Sequence, residues 1–171
     1  MNTLKPNDLK ALHAQLGRPP RGVVSIETRC PVGHPQVIRV YPLLRKAGKV
    51  EPFPTLFWLA CPGLIRQISA LEHRGLISTL EQTLQDDANF RTAYHCNHRA
   101  YLNERWETLS EEDRHWVESQ GWEAYFKKGI GGIANWAHIK CLHLQFAHYL
   151  ARENVVGQWL DDHFSPSRCI C

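Results

Sequence analysis

Six cysteines and ten histidines are the side chains of this 171-residue chain best suited to metal binding, redox or acid–base chemistry. Cys30, Cys61 and Cys141 each lie inside a patterned segment, whereas Cys96 falls in a polar helical pattern and Cys169 and Cys171 sit on a Ser/Pro/Arg tail. No Cys-x-x-Cys occurs, so a zinc ribbon and a thioredoxin motif are both excluded. Residues 1–17 lack the apolar core of a signal peptide, which sets the cytoplasm as the expected compartment. Reduced thiols there point to a metal or to redox chemistry rather than to a disulfide framework. Three cysteines and one histidine suit a closed zinc site or an iron–sulfur cluster with one non-cysteine ligand. Because the three thiols come from distant segments without a knuckle, the expectation leans to iron–sulfur.

The fourth ligand depends on a helix expected over residues 135–150. At about 100° per residue, Ile139, Leu142, Phe146 and Tyr149 make its core stripe, and His138, Cys141, Gln145 and His148 make the adjacent one. His138 and His148 are then the better-placed donors, with His34, on the turn after Cys30, as a further one. His143 falls nearly opposite Cys141 and joins only if the helix is distorted. The competing reading is core packing, because a reduced cysteine behaves as a small hydrophobe and Cys61 follows Phe57-Trp58-Leu59-Ala60.

A second constellation lies just upstream. Gly129-Ile130-Gly131-Gly132, with Lys127, Lys128 and Lys140 nearby, offers loose backbone and positive charge, which suits an anionic small molecule held by Gly129, Gly131, Gly132 and Lys140. It is neither a Walker loop nor a dinucleotide fingerprint, and a packing turn is the competing explanation. His98, Tyr101 and Arg105 share one helix face, as a polar binding surface or as a partly buried stripe. Paired carboxylates, Gly-x-Ser-x-Gly and His-Glu-x-x-His do not stand out.

These residues must be positioned by a small set of elements. Residues 7–15 read as a helix with Leu9, Leu12 and Leu16 on its apolar side, stopped by Gly17-Arg18-Pro19-Pro20. Three β-branched runs, 22–28, 36–41 and 54–59, form an antiparallel meander, the last two separated by a polar loop containing Ala47-Gly48. First and third strands run the same way, so Cys30 and Cys61 close the same end of the sheet, on the order of 10 Å apart. That is too far for a disulfide, though a metal centre bridges it if the chain curls inward. From Pro62 the period becomes helical: Leu64, Ile68 and Leu71 on one face, then 77–84, then a helix capped by Asp86-Asp87 and running through Phe90, Tyr94, Tyr101 and Trp106. Ser110-Glu111-Glu112-Asp113 starts another, and Trp159 anchors the last. The fold class expected is α+β, a three-stranded antiparallel sheet in the N-terminal third packed against a C-terminal set of helices. Residues 1–20 are expected as a helix and linker, 21–164 as one domain and 165–171 as a flexible tail.

Lys and Arg number 20 against 17 Asp and Glu, a formal charge of +3. Residues 1–50 carry nine basic residues against Asp8 and Glu27, a surplus of seven; the remainder has eleven against fifteen, a deficit of four. A basic N-terminal third admits nucleic acid or an acidic protein as partner, but no basic run exceeds two residues, which ranks that reading last. The longest nearly uncharged apolar stretch, 55–65, is too short to span a bilayer.

Several of these segments resemble a known family. Arg29-Cys30-Pro31-Val32-Gly33-His34-Pro35-Gln36-Val37-Ile38, Pro52-Phe53-Pro54-Thr55-Leu56-Phe57-Trp58-Leu59-Ala60-Cys61-Pro62, Gly129-Ile130-Gly131-Gly132-Ile133 and Lys140-Cys141-Leu142-His143 look like the signature blocks of a bacterial family catalogued as domain of unknown function 501. The likeness runs from about 21 to 157 and includes His98-x-x-Tyr101-x-x-x-Arg105 and Asn154-Val155-Val156-Gly157. It brings no activity with it. It does imply that Cys30, Cys61, Cys141 and His143 are motif positions and that Cys96, Cys169 and Cys171 are not. The family often has a second histidine where this chain has Gln145. The leading expectation is therefore a metal-binding protein using Cys30, Cys61 and Cys141, whether or not it is catalytic. A cysteine-dependent enzyme acting on an anionic small molecule comes second, with Arg29 available to activate Cys30. A noncatalytic interaction module comes third.

Overall fold

The structure, a computed structural model, describes residues 4–46 and 48–166; Cys169 and Cys171 lie outside them. Helix α1 (Asp8–Leu16) precedes strands β1 (Val23–Arg29) and β2 (Pro35–Val40). A hairpin of β3 (Leu43–Lys46) and β4 (Lys49–Pro52) leads to β5 (Phe57–Leu59). The main sheet is antiparallel in the order β1-β2-β5, with Ile26 opposite Ile38 and Ile38 opposite Trp58. The meander expected from the β-branched runs is therefore present, and the protein is α+β.

Side chains alternate across the sheet. Val37, Phe57 and Leu59 face the principal core, and Ile26, Ile38, Val40 and Ala60 face Leu12 of α1. Arg29 pairs with Pro35 and Leu59 with Val37, so Cys30 and Cys61 both follow strand ends beside the start of β2. The expected polar loop between the second and third strands is instead the β3–β4 hairpin. Its cause is Leu43, which is buried with Leu109, Val117 and Phe126 while partly buried Val50 packs alongside.

Helices α2 (Pro62–His73), α3 (Leu76–Asp86), α4 (Ala88–Glu107), α5 (Glu111–Ser119), α6 (Glu123–Phe126), α7 (Leu142–Ala151) and α8 (Val155–Phe164) complete the chain. Asp87 caps α4, its carboxylate accepting from the N–H groups of Asn89 and Phe90, and the Ser110 hydroxyl caps α5. Among the described residues no helix is long and apolar enough to cross a membrane.

One helix is shorter than the periodicity predicts. Residues 135–141 are not helical, and Cys141, extended at φ −164° and ψ 128°, is only the N-cap of α7. The amide groups that would have continued the helix are engaged elsewhere. The Ile139 N–H donates to Glu81 Oε1 at 2.8 Å and the Leu142 N–H to Glu72 Oε1 at 2.6 Å, while the His138 carbonyl accepts from the Tyr94 hydroxyl at 2.8 Å. Tertiary partners on α2, α3 and α4 thus override an apolar period that suits a helix.

Candidate functional site

Helix α2 presents two neighbouring stripes. Leu64, Ile68 and Leu71 enter the core, and Ile65, Ser69 and Glu72, at i, i+4 and i+7, lie beside them toward the start of α7. α2 and α7 pack together, which brings Glu72 against the segment carrying Cys141 and His143.

Among the described residues, the ligand atoms of Glu72, Cys141 and His143 all lie within 4.8 Å of one another, each side chain half-buried. The Cys141 Sγ is 3.6 Å from His143 Nδ1, and Glu72 Oε2 is 3.2 Å from the same nitrogen. On its far side the imidazole Nε2 is 3.2 Å from the Ile65 carbonyl and 3.0 Å from the Ser69 hydroxyl. A carbonyl only accepts, so the Nε2 hydrogen serves Ile65, and Nδ1 faces the Glu72 carboxylate and the Cys141 thiol. Burial pushes the Cys141 thiol above its ordinary range, and the Glu72 charge beside it adds to that.

The helical projection that set His143 opposite Cys141 is corrected by the extended conformation of Cys141, which makes the two side chains neighbours. The other expected donors lie elsewhere. His138 is exposed, with Nδ1 3.3 Å from Glu81 Oε1. His148 is buried, stacks on Phe57 and accepts from the Asn154 amide at 3.1 Å. His34 is exposed on the turn where its carbonyl accepts from the Cys30 N–H. Cys30 and Cys61 are buried, and neither belongs to the Glu72 group. At 1.5 Å rise per residue, Cys61 and Glu72 stand roughly 16 Å apart along α2, too far to share one ion. Glu72 is the residue that sequence reasoning missed. It reads as an ordinary polar position of an amphipathic helix, and only the docking of α7 marks it out.

The chain matches the family model described as Protein of unknown function (DUF501) over residues 26–162. The chain belongs to this family. No curated protein and no solved structure matches it significantly. The DUF501 span takes in Glu72, Cys141 and His143 together with Cys30 and Cys61, and leaves α1 outside.

The glycine segment and its lysine are drawn together as well. Ile130–Gly132 forms one turn of 3₁₀ helix, with Gly131 at φ 72° and Gly132 at φ 78° in left-handed conformations that favour glycine. The Lys140 Nζ donates to the Gly131 carbonyl at 2.7 Å. Gly129 has a different reason: a Cβ there would sit 2.1 Å from His98 Nδ1. His98, Tyr101 and Arg105 prove fully buried. His98 Nδ1 accepts from the Ile130 N–H, and the Tyr101 hydroxyl accepts from the Leu56 N–H and donates to the Pro54 carbonyl.

Proposed function

We propose that this DUF501 protein binds one divalent transition-metal ion, zinc by preference, through Glu72, Cys141 and His143. The observation that carries this reading is the convergence of three ligand atoms, from Glu72, Cys141 and His143, within 4.8 Å of one another. For tetrahedral zinc, with Zn–S about 2.3 Å and Zn–N and Zn–O about 2.0–2.2 Å, adjacent ligand atoms stand about 3.4–3.6 Å apart. The Sγ–Nδ1 separation is 3.6 Å and the Nδ1–Oε2 separation 3.2 Å. Without a cation the Cys141 thiol hydrogen-bonds to the Glu72 carboxylate; metal binding would displace that proton and leave thiolate, imidazole and carboxylate as ligands. The Nε2–H contact to the Ile65 carbonyl supplies the outer partner that orients a ligating histidine. One thiolate with an imidazole and a carboxylate suits zinc better than an iron–sulfur cluster, which is built on several thiolates. Three protein ligands leave a fourth position for water or substrate, the pattern of a catalytic rather than a closed structural zinc. A nucleophilic Cys141 has less support, because its thiolate is disfavoured beside Glu72.

Titration of metal-free protein with Zn²⁺ should give one site, and Co²⁺ loading should give a sulfur-to-cobalt charge-transfer band. Cys141→Ser should abolish that band. Glu72→Gln, which keeps an oxygen for the Leu142 N–H, should weaken affinity at least about tenfold, and Cys30→Ala should leave the band unchanged. A cobalt spectrum that is the same in Cys141→Ser and wild type would refute the site.

A further inference from the structure

A cavity of about 250 Å³ lies between the β4–β5 connection, the end of α6 and the glycine turn, with Lys140 in its lining. Its cationic lining is Arg105, Lys128 and Lys140, its apolar walls include Phe53, Pro54 and Phe126, and among the described residues no carboxylate lines it. Arg105 is fully buried, yet its hydrogen-bond partners are all backbone carbonyls: Pro54 on Nη1, and Tyr125, Phe126 and Lys128 on Nη2. Its Nε has no partner. A guanidinium this deep normally has a carboxylate or phosphate beside it. Here the carbonyls hold the pocket walls in place and leave the positive charge unneutralised. Lys140 reaches back to Gly131, and the Lys128 ammonium stands 5.1 Å over the Tyr125 ring. A side chain at Gly132 would approach Pro54 to 3.0 Å and narrow the entrance.

We propose that this cavity is a binding site for a small organic phosphate, its dianionic head between Lys128 and Lys140 above Arg105 and its apolar part against Phe53, Pro54 and Phe126. Three positive charges without a counter-charge favour a dianion over a monoanion. The apolar walls favour an organic ester over the inorganic ion.

The test uses full-length protein and three probes of similar shape: phenyl phosphate, benzoate and benzyl alcohol. Phenyl phosphate should bind saturably, moving the amide resonances of Gly131, Gly132 and Phe53, and its affinity should fall with added salt. Benzyl alcohol should not bind at the same concentrations, and benzoate should bind more weakly than phenyl phosphate. Removing both lysine contacts in Lys128→Gln/Lys140→Gln should cost at least about tenfold in affinity. Lys128→Gln alone, which leaves the Lys140–Gly131 contact intact, should cost several-fold. Undiminished binding by both variants, benzoate or benzyl alcohol equalling phenyl phosphate, or no saturable binding of phenyl phosphate would overturn the proposal.

Discussion

His98 and His148 are buried imidazoles without a carboxylate partner, and each makes the fold sensitive to pH. Burial is the main cause in both. His95 adds to it for His98, and the Arg152 and His98 charges add to it for His148, holding His98 down to about 4 and His148 to about 3 against an ordinary 6.5. The unfolded chain therefore takes up protons on these residues below about pH 6.5, while the folded chain takes them up only near 4 and 3. Stability is complete above pH 6.5 and declines as the pH falls through that interval, at about 1.4 kcal/mol per group per unit. Urea unfolding should show a loss of roughly 4 kcal/mol between pH 7 and pH 5 from the pair. His148→Gln should lose close to half of that slope. A midpoint that does not move between the two pH values would contradict the assignment. At Glu72 one carboxylate has two tasks: one oxygen caps the first amide of α7 and the other faces the sulfur and imidazole.

Helix α4 organises the loops around the cavity. Its buried stripe runs from His98 to Arg105 and bonds to the backbone of the β4–β5 connection and of residues 125–130. Replacing Arg105 with Met takes the guanidinium donor from the carbonyls of Phe126 and Lys128, while Pro54 keeps the Tyr101 hydroxyl. It should cost about 2–5 kcal/mol of unfolding free energy through the unpaired carbonyls, and amide exchange should speed up first in residues 125–132. Equal exchange in variant and wild type would show that the guanidinium is not what holds this segment. The extended stretch before α7 matters in the same way. Lys140 lines the cavity, and the next residue, Cys141, belongs to the Glu72 cluster. A helix through residue 141 would have allowed neither.

Across the whole molecule, the sheet is covered on both faces. α7 lies against β5 within the principal core, and α1 covers the opposite face through Leu12, which is buried with Ile26, Ile38 and Val40. The Arg29 guanidinium meets the Asp8 carboxylate with both terminal nitrogens at 2.8 Å and holds it down at about 2. Leu12→Ala should cost about 2–5 kcal/mol by opening a cavity on that face. Metal and phosphate binding should stay unaltered, because neither site touches α1; a parallel loss of both would show the two faces to be coupled. A ring of Glu27, Arg39, Glu104 and Arg152 joins β1, β2, α4 and the end of α7 with alternating charges. It fixes α4 to the sheet.

Local pattern was enough to determine the three-stranded meander, α2, α4 and α5 with their Asp87 and Ser110 caps, and the burial of apolar stripes, because each follows from side-chain period and from donors and acceptors a few residues apart. The glycine segment and Lys140 were also legible as one neighbourhood, being eleven residues apart or fewer. Tertiary structure alone decided the β3–β4 hairpin, where a buried Leu43 needed partners from α5 and α6, and the late start of α7, where distant carboxylates took the amides a helix would have used. It likewise decided which histidine stands beside Cys141 and brought in Glu72 from seventy residues away. Hydrophobic period reports which face of a segment is apolar, but a binding site is made where backbone groups leave that period to satisfy partners the local sequence does not contain.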